Sequence, residues 1–177
     1  SNFPRRAVRG TVAPDPAGPS RPAPSRQQEV DPIMTALTLA TAQAIVDRSL
    51  AVARERGFKP MAVVVLDARG SLKAAAAEDG CPILRWEVAL GKANVCVKFG
   101  SGGRRINAIA TERPHFFAGL TTLLGENGAI PVPGGVLIRD AAGELVGSCG
   151  MSGDTSDNDE AALVAAIEAA GLVADCG

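Results

Sequence analysis

The sequence predicts an α+β domain in which helices flank an antiparallel sheet of about five strands. Two observations support this class. Two pairs of short apolar runs are each joined by a glycine-containing turn, the pattern of β-hairpins, and hairpins join antiparallel strands. Segments with apolar residues at helical spacing precede, separate and follow these pairs. The order helix, hairpin, helices, hairpin, helix disfavours a doubly wound parallel sheet.

The first half of the predicted domain holds one helix and the first hairpin. Apolar residues recur at helical spacing over 42–53, Thr38 can cap the first turn, and Gly57 ends the helix. The strand-like runs 61–67 and 71–77 follow, on either side of a turn that contains Gly70.

The second half holds the remaining helices and the second hairpin. Helical patterns cover 83–99, 105–110 and 115–124, and strand-like runs at 136–138 and 145–150 flank a turn that ends at Gly143. A last helix is expected from a Ser156 cap to a stop at Gly171.

Residues 1–34 differ from the predicted domain, which spans residues 35–177. The first segment has no apolar periodicity and contains seven of the twelve prolines, interleaved with five arginines. Such a composition cannot bury enough apolar surface to offset the entropy of ordering. We interpret it as a flexible arm, either solvated or lying on a neighbouring subunit; it lacks the apolar region of a secretory signal.

Charge and hydropathy narrow the classes of partner. The 18 Lys and Arg residues nearly balance the 19 Asp and Glu residues, for a net charge of -1. No field of one sign is available to hold a nucleic-acid backbone or an anionic membrane. No apolar run approaches the roughly 20 residues of a membrane-spanning helix. The expected partners are therefore a small-molecule ligand and copies of the chain itself, without nucleic acid or membrane.

The four cysteines do not form a metal or redox motif. Cys81, Cys96, Cys149 and Cys176 are far apart in sequence and contain no C-x-x-C pair. We interpret them as reduced, mostly buried thiols of a cytoplasmic protein, with Cys149 in the core; an exported protein whose signal has been removed is the alternative.

The common catalytic motifs are not present in the sequence. Gly91-Lys92 lacks the pattern of a phosphate loop, and the glycines at 100–103 do not complete a dinucleotide-binding motif. Ser152 does not stand in a G-x-S-x-G motif. The Gly100–Arg105 stretch is either a nest for an anion or a tight exit from a helix.

The single histidine, His115, admits two interpretations. It lies between a proline and two phenylalanines, a setting that suits an axial ligand of haem iron. It can equally begin a short helix without any functional role. His115 is therefore the residue that we consider as a metal ligand.

A second candidate site combines glycines with charged residues. Gly134, Gly135, Lys92, Asp67 and Glu78 stand near predicted loop ends, where a glycine-lined cleft would present backbone N–H groups to a small carboxylate. Lys92, on an apolar helical stripe, is either functional or paired. Glu78 is also consistent with a cation site or a solvated turn.

An acidic group opens the last helix. Asp157, Asp159 and Glu160 fall in its first turn, where carboxylates complement the helix dipole. We therefore interpret this group as capping.

The pattern as a whole resembles the GlcG/HbpS family, the haem-binding family related to the C-terminal domain of PduO. The resemblance covers about residues 36–173. Its most specific parts are Pro131-Val-Pro-Gly-Gly-Val136 and the later Val146-Gly-Ser-Cys-Gly-Met-Ser-Gly153 followed by Asp159-Glu160. The sequence departs from the family where a basic residue and Thr commonly follow Phe-Gly, since Ser101-Gly-Gly103 stands there.

The resemblance implies a profilin-like fold with a five-stranded antiparallel sheet, and homo-oligomers, often tetramers or octamers. It also implies a small-ligand-binding or sensing accessory protein, with haem as the named cofactor. Haem ligation varies among members of the family, so the resemblance assigns no iron ligand, and His115 is a candidate from its own sequence setting alone. An enzyme or enzyme accessory acting on a small carboxylate in a catabolic pathway is the alternative.

Overall fold

The computed structural model describes residues 36–177, and all structural statements below concern that part of the chain. The arm predicted at residues 1–34 lies outside it. The elements follow one another as α1 (Leu39–Glu55), β1 (Ala62–Asp67), β2 (Leu72–Ala77), α2 (Arg85–Phe99), α3 (Gly103–Glu112), α4 (Pro114–Thr121), β3 (Gly135–Arg139), β4 (Leu145–Ser152), α5 (Ser156–Ala169) and β5 (Val173–Asp175).

The five strands form one antiparallel sheet in the order β2-β1-β4-β3-β5. This confirms the predicted α+β class and the five-stranded antiparallel sheet. Both hairpins occur as expected. The fifth strand pairs with β3 and was not located in the sequence, because a three-residue strand carries too little alternation to be recognised.

Helices cover both faces of the sheet. The helices α1 and α5 pack on one face, and α2 packs on the other face against β1, β3 and β4. Alternation along β1 shows the division, since Val63 and Val65 belong to the core under α1 and α5 whereas Val64 and Leu66 face α2. A further cluster under α3 and α4 includes Ile106.

Helix ends follow the expected chemistry with one correction. The Thr38 hydroxyl accepts a hydrogen bond from the Thr41 amide, as predicted. The last helix is capped by Thr155, whose hydroxyl accepts from the Asn158 amide, whereas Ser156 is its first helical residue. Both residues can cap a helix, so the sequence alone did not distinguish them.

The described helices do not include one with the length and apolar character needed to cross a membrane.

Candidate functional site

The buried centre of the structure is an ion pair between α2 and α5. The Lys92 ammonium lies 2.8 Å from an Asp159 carboxylate oxygen and donates a second hydrogen bond to the Met151 carbonyl at 2.9 Å. Both side chains are only 2% exposed. The other Asp159 oxygen accepts from the Asp154 amide at 3.1 Å. Burial lowers the pKa of Lys92, and the Asp159 carboxylate opposes that effect.

Two glycines permit this pair to form. Gly134 has a φ of 94°, and a Cβ there would lie 2.7 Å from the Lys92 ammonium and 2.9 Å from Asp159 Cβ. A Cβ on Gly135 would lie 2.6 Å from the Lys92 carbonyl oxygen and 2.7 Å from Cys96 Sγ. Both glycines therefore allow β3 to approach α2 closely.

Asp67 and Glu78 do not join these residues. Asp67 lies at the opposite end of β1, where its carboxylate accepts from the Arg69 and Ser71 amides of the hairpin turn. Strand geometry separates it from the level of Gly134 by about 13 Å along the sheet.

Glu78 directly follows the edge strand β2, which lies three strands away from β3 in the sheet. Its carboxylate is 2.7 Å from the Arg54 guanidinium and accepts from the Met61 amide at 2.7 Å. The expected cleft that would unite Lys92 and the two glycines with Asp67 and Glu78 is therefore not formed, because the β-strands separate the loop ends on which the prediction placed them.

The acidic group of α5 is more than a helix cap, which corrects the prediction. Arg104 of α3 lies 2.8 Å from both the Glu160 and the Asp157 carboxylates. Glu160 is 8% exposed at its side chain, and its second oxygen has no partner among the described residues. Asp157 keeps the exposure expected of a first-turn acid, 76% of its side chain, although it also contacts Arg104.

Sequence reasoning missed the roles of Asp159, Glu160 and Arg104. The sequence did contain a signal for these roles. Lys92 stands on an apolar helical stripe, so a buried Lys92 would need an anionic partner. Two adjacent acids near the start of a helix also exceed what capping requires. Arg104 belongs to the stretch considered as an anion nest, but both carboxylates already bind its guanidinium. Ser152, which accepts from Arg85 at 3.2 Å, is likewise buried.

His115 lies on a different surface. It follows Pro114 at the start of α4 and is exposed to solvent. Gly119 stands one helical turn later, and the position where its Cβ would be has no atom within 4 Å. Phe116 is 42% exposed, and the Arg113 guanidinium lies 4.3 Å from the centre of its ring.

The four cysteines are free, with Cys96 and Cys149 buried and Cys81 and Cys176 half-buried. Burial raises the pKa of Cys96 to about 12 and that of Cys176 to about 11. Within residues 36–177 no three side chains of the His, Cys, Asp and Glu types are grouped so as to hold a metal ion.

Comparison with known families identifies the chain. A family model described as "haem degrading protein HbpS-like" matches residues 37–168, about three quarters of the sequence. The chain belongs to the HbpS-like family. No curated protein matches the sequence significantly.

Solved structures agree with the fold of this HbpS-like protein. A crystal structure of a PduOC:heme complex is 21% identical, with a TM-score of 0.68, over 77% of this chain and 96% of the other. HbpS is 25% identical, with a TM-score of 0.63, over 76% and 89% of the two chains. The ORFY protein of Klebsiella pneumoniae, assigned to DUF336, is 22% identical, with a TM-score of 0.65, over 76% and 90%.

Proposed function

We propose that this HbpS-like protein binds haem or a related tetrapyrrole on the exposed face of α4, with His115 as the axial ligand of the iron. The observation that carries the proposal is the open surface beside His115 and Gly119, in a chain whose family model is described by haem degradation. The likeness to a PduOC:heme complex and to HbpS supports the ligand class.

The inventory of iron ligands favours His115. The protein has one histidine and no tyrosine. Of the three methionines, Met61 and Met151 are fully buried, and Met34 lies outside the described residues. The four cysteine thiols are buried or half-buried, and burial raises the pKa of each. Because iron binds the thiolate form, a raised pKa leaves little of the form that could act as a ligand.

The shape of α4 suits a flat ligand. His115 and Gly119 are four residues apart and therefore lie on one face of the helix. With no side chain at Gly119 and nothing within 4 Å of its Cβ position, a macrocycle can approach the helix beside the imidazole. Phe116 and Leu123, 42% and 78% exposed, add apolar surface nearby.

Arg113 provides the complementary charge. Its guanidinium lies over the ring of Phe116, the residue that follows His115, which places a cation at the start of α4. Tetrapyrroles of the haem type carry propionate groups, and a guanidinium can bind a carboxylate through two hydrogen bonds. This arrangement suits a ligand with an apolar plane and an acidic edge.

The small-carboxylate alternative gains no such support from Lys92. Its ammonium is committed to Asp159 and to the Met151 carbonyl, and both charges are buried. An anionic ligand would have to displace a carboxylate already in contact.

Titration with hemin tests the proposal. The wild-type protein is expected to give a saturable shift of the Soret band. His115→Ala should abolish the spectrum of the histidine-ligated species, and added imidazole should restore it. Gly119→Leu should weaken binding by placing a side chain on the open face, with circular dichroism verifying the fold.

Thr121→Ala is the matched control, since Thr121 is exposed on the same helix and lies away from the His115 face. An unchanged wild-type spectrum would remove haem as the ligand. A shift that persists undiminished in His115→Ala would remove His115 as the iron ligand.

A further inference from the structure

A second surface feature lies at the end of the sheet where both hairpins turn. There a cavity of about 360 Å³ opens between the start of α1, the β1–β2 turn and the first residues of β4. This volume lies within the usual range of small-ligand pockets, about 300–1,000 Å³, at its lower end. The cavity therefore suits a small molecule.

The floor of this hairpin cavity is apolar. Its buried apolar side chains are those of Leu37 and Val146; Leu145 also lines the cavity, but its side chain packs against the clusters on the opposite face of the sheet. Leu37 and Val146 are buried members of the core under α1, so this floor is held in place by packing. A ligand that fills the cavity must present an apolar group to it.

The rim carries charges of both signs. Arg69 and Lys73 supply two cations, and Asp67 and Glu144 supply two carboxylates. None of the ion pairs within residues 36–177 uses any of these four side chains. Among the described residues, these four side chains are therefore not committed to an ion pair within 4 Å.

Local geometry keeps both signs present at neutral pH. One Asp67 oxygen accepts from the Ser71 and Arg69 amides, which leaves the other free of those bonds. The hydrogen bond from the Ser71 amide is the main cause that lowers the pKa of Asp67, so this carboxylate stays ionised. The first turn of α1 carries no acidic side chain that would cancel the positive end of its dipole.

We propose that the hairpin cavity binds a small zwitterion with an apolar side chain, of the class of the aliphatic α-amino acids. The carboxylate of such a ligand would face Arg69 and Lys73, its ammonium would face Asp67 and Glu144, and its side chain would cover the apolar floor. A ligand that carries only a carboxylate is repelled by the two carboxylates of the rim. A ligand that carries only an ammonium group is repelled by the two cations of the rim. The balanced rim thus favours a molecule that carries both groups.

Calorimetric titration of the full-length protein tests this proposal with three probes of one carbon skeleton: L-leucine, 4-methylpentanoate and 3-methylbutylamine. Saturable binding is expected for leucine, with affinity at least about tenfold higher than for either single-charge analogue, because each analogue loses one charged group that the rim would contact. Lys73→Met and Glu144→Gln should each weaken leucine binding by a similar factor.

Arg56→Gln provides the control, since Arg56 is an exposed residue at the opposite end of α1. His115→Ala should leave leucine binding unchanged, which separates this proposal from haem binding. Absence of leucine binding would overturn the proposal, as would equal affinity for the carboxylate-only or amine-only analogue. Leucine binding that survives both rim substitutions would place the site elsewhere and would also overturn it.

Discussion

At the scale of single residues, the buried ion pair of Lys92 and Asp159 has a direct effect on the stability of the fold. Two charges removed from water lose hydration, and their attraction offsets that cost only when hydrogen bonds satisfy the remaining atoms. Here the Met151 carbonyl and the Asp154 amide provide those bonds. Removal of one partner leaves the other buried without compensation.

We therefore expect Lys92→Met to lower the free energy of unfolding by about 3–5 kcal/mol. The double variant Lys92→Met/Asp159→Leu should recover much of this loss, because neither charge then remains buried. Urea denaturation followed by circular dichroism measures both values. A single substitution that costs less than about 1 kcal/mol, the value of an exposed pair, would show that the contact is not desolvated in solution.

The environment of Asp154 predicts that the stability of the fold depends on pH in the acidic range. Hydrogen bonds from the Lys59 amide, the Thr155 amide and the Asn158 side chain lower its pKa from 3.8 to about 2. Because the folded pKa lies below the unfolded one, the ionised carboxylate stabilises the fold above pH 4. That contribution is lost as the pH falls from about 4 to about 2.

Asp154→Asn should accordingly be less stable than the wild type at pH 6, with the difference shrinking toward pH 2. Thermal unfolding of both proteins across this range tests the expectation, and Asp140→Asn, in the tip of the second hairpin, controls for loss of an acidic turn residue. A difference that stays constant with pH would contradict the assigned role.

At the scale of elements, α2 lies unusually close to β4. A Cβ on Gly150 would overlap the Ala89 carbonyl oxygen, and it would lie 2.8 Å from the Ala93 amide nitrogen. The Ser148 hydroxyl donates to the Ala93 carbonyl at 3.0 Å, which joins the same helix and strand. This contact depends on the absence of a side chain.

Gly150→Ala should destabilise the protein by at least about 1–3 kcal/mol, since backbone atoms cannot yield as a flexible side chain would. Gly119→Ala is the matched control, because that helical position is open and alanine favours a helix by about 0.5–1 kcal/mol. Chemical denaturation compares the two. A neutral Gly150→Ala would mean that α2 can move away from the sheet at little cost.

Local patterns predicted most elements, and long-range geometry decided the site. Periodicity and turn glycines placed both hairpins and α1 because these signals act over a few residues. The partner of Lys92 is 67 positions away along the chain, and no local signal assigns Asp159 to it. Long-range geometry also separates Asp67 from Gly134, because Asp67 lies at the end of β1 that is far from Gly134.

At the scale of the whole molecule, the predicted homo-oligomer, a tetramer or octamer, stays a prediction. Before and within the first turn of α2, three large apolar side chains are exposed: Ile83 by 89%, Leu84 by 59% and Trp86 by 48%. Clustered apolar exposure of this kind is typical of association surfaces. We expect this surface to contribute to the interface.

Light scattering on the full-length protein tests the expectation. Ile83→Glu should reduce the mass of the assembly, whereas Leu39→Glu, at another exposed leucine on α1, should not. A chain that starts at Thr35 tests the role expected for residues 1–34, and an identical mass and melting temperature would argue against that role. A wild-type protein that is monomeric at micromolar concentration would refute assembly altogether.

The ion pair between α2 and α5 also bears on how the protein opens. These helices cover opposite faces of the sheet, and the buried Lys92–Asp159 contact joins them directly, beside the more exposed contacts of Arg104 with Glu160 and Asp157. If either helix opened locally, the charged residue of the other helix would stay buried without its partner. The slowest-exchanging amides of α2 and α5 should therefore exchange with deuterium in a single cooperative event, and Lys92→Met/Asp159→Leu should divide that event into two.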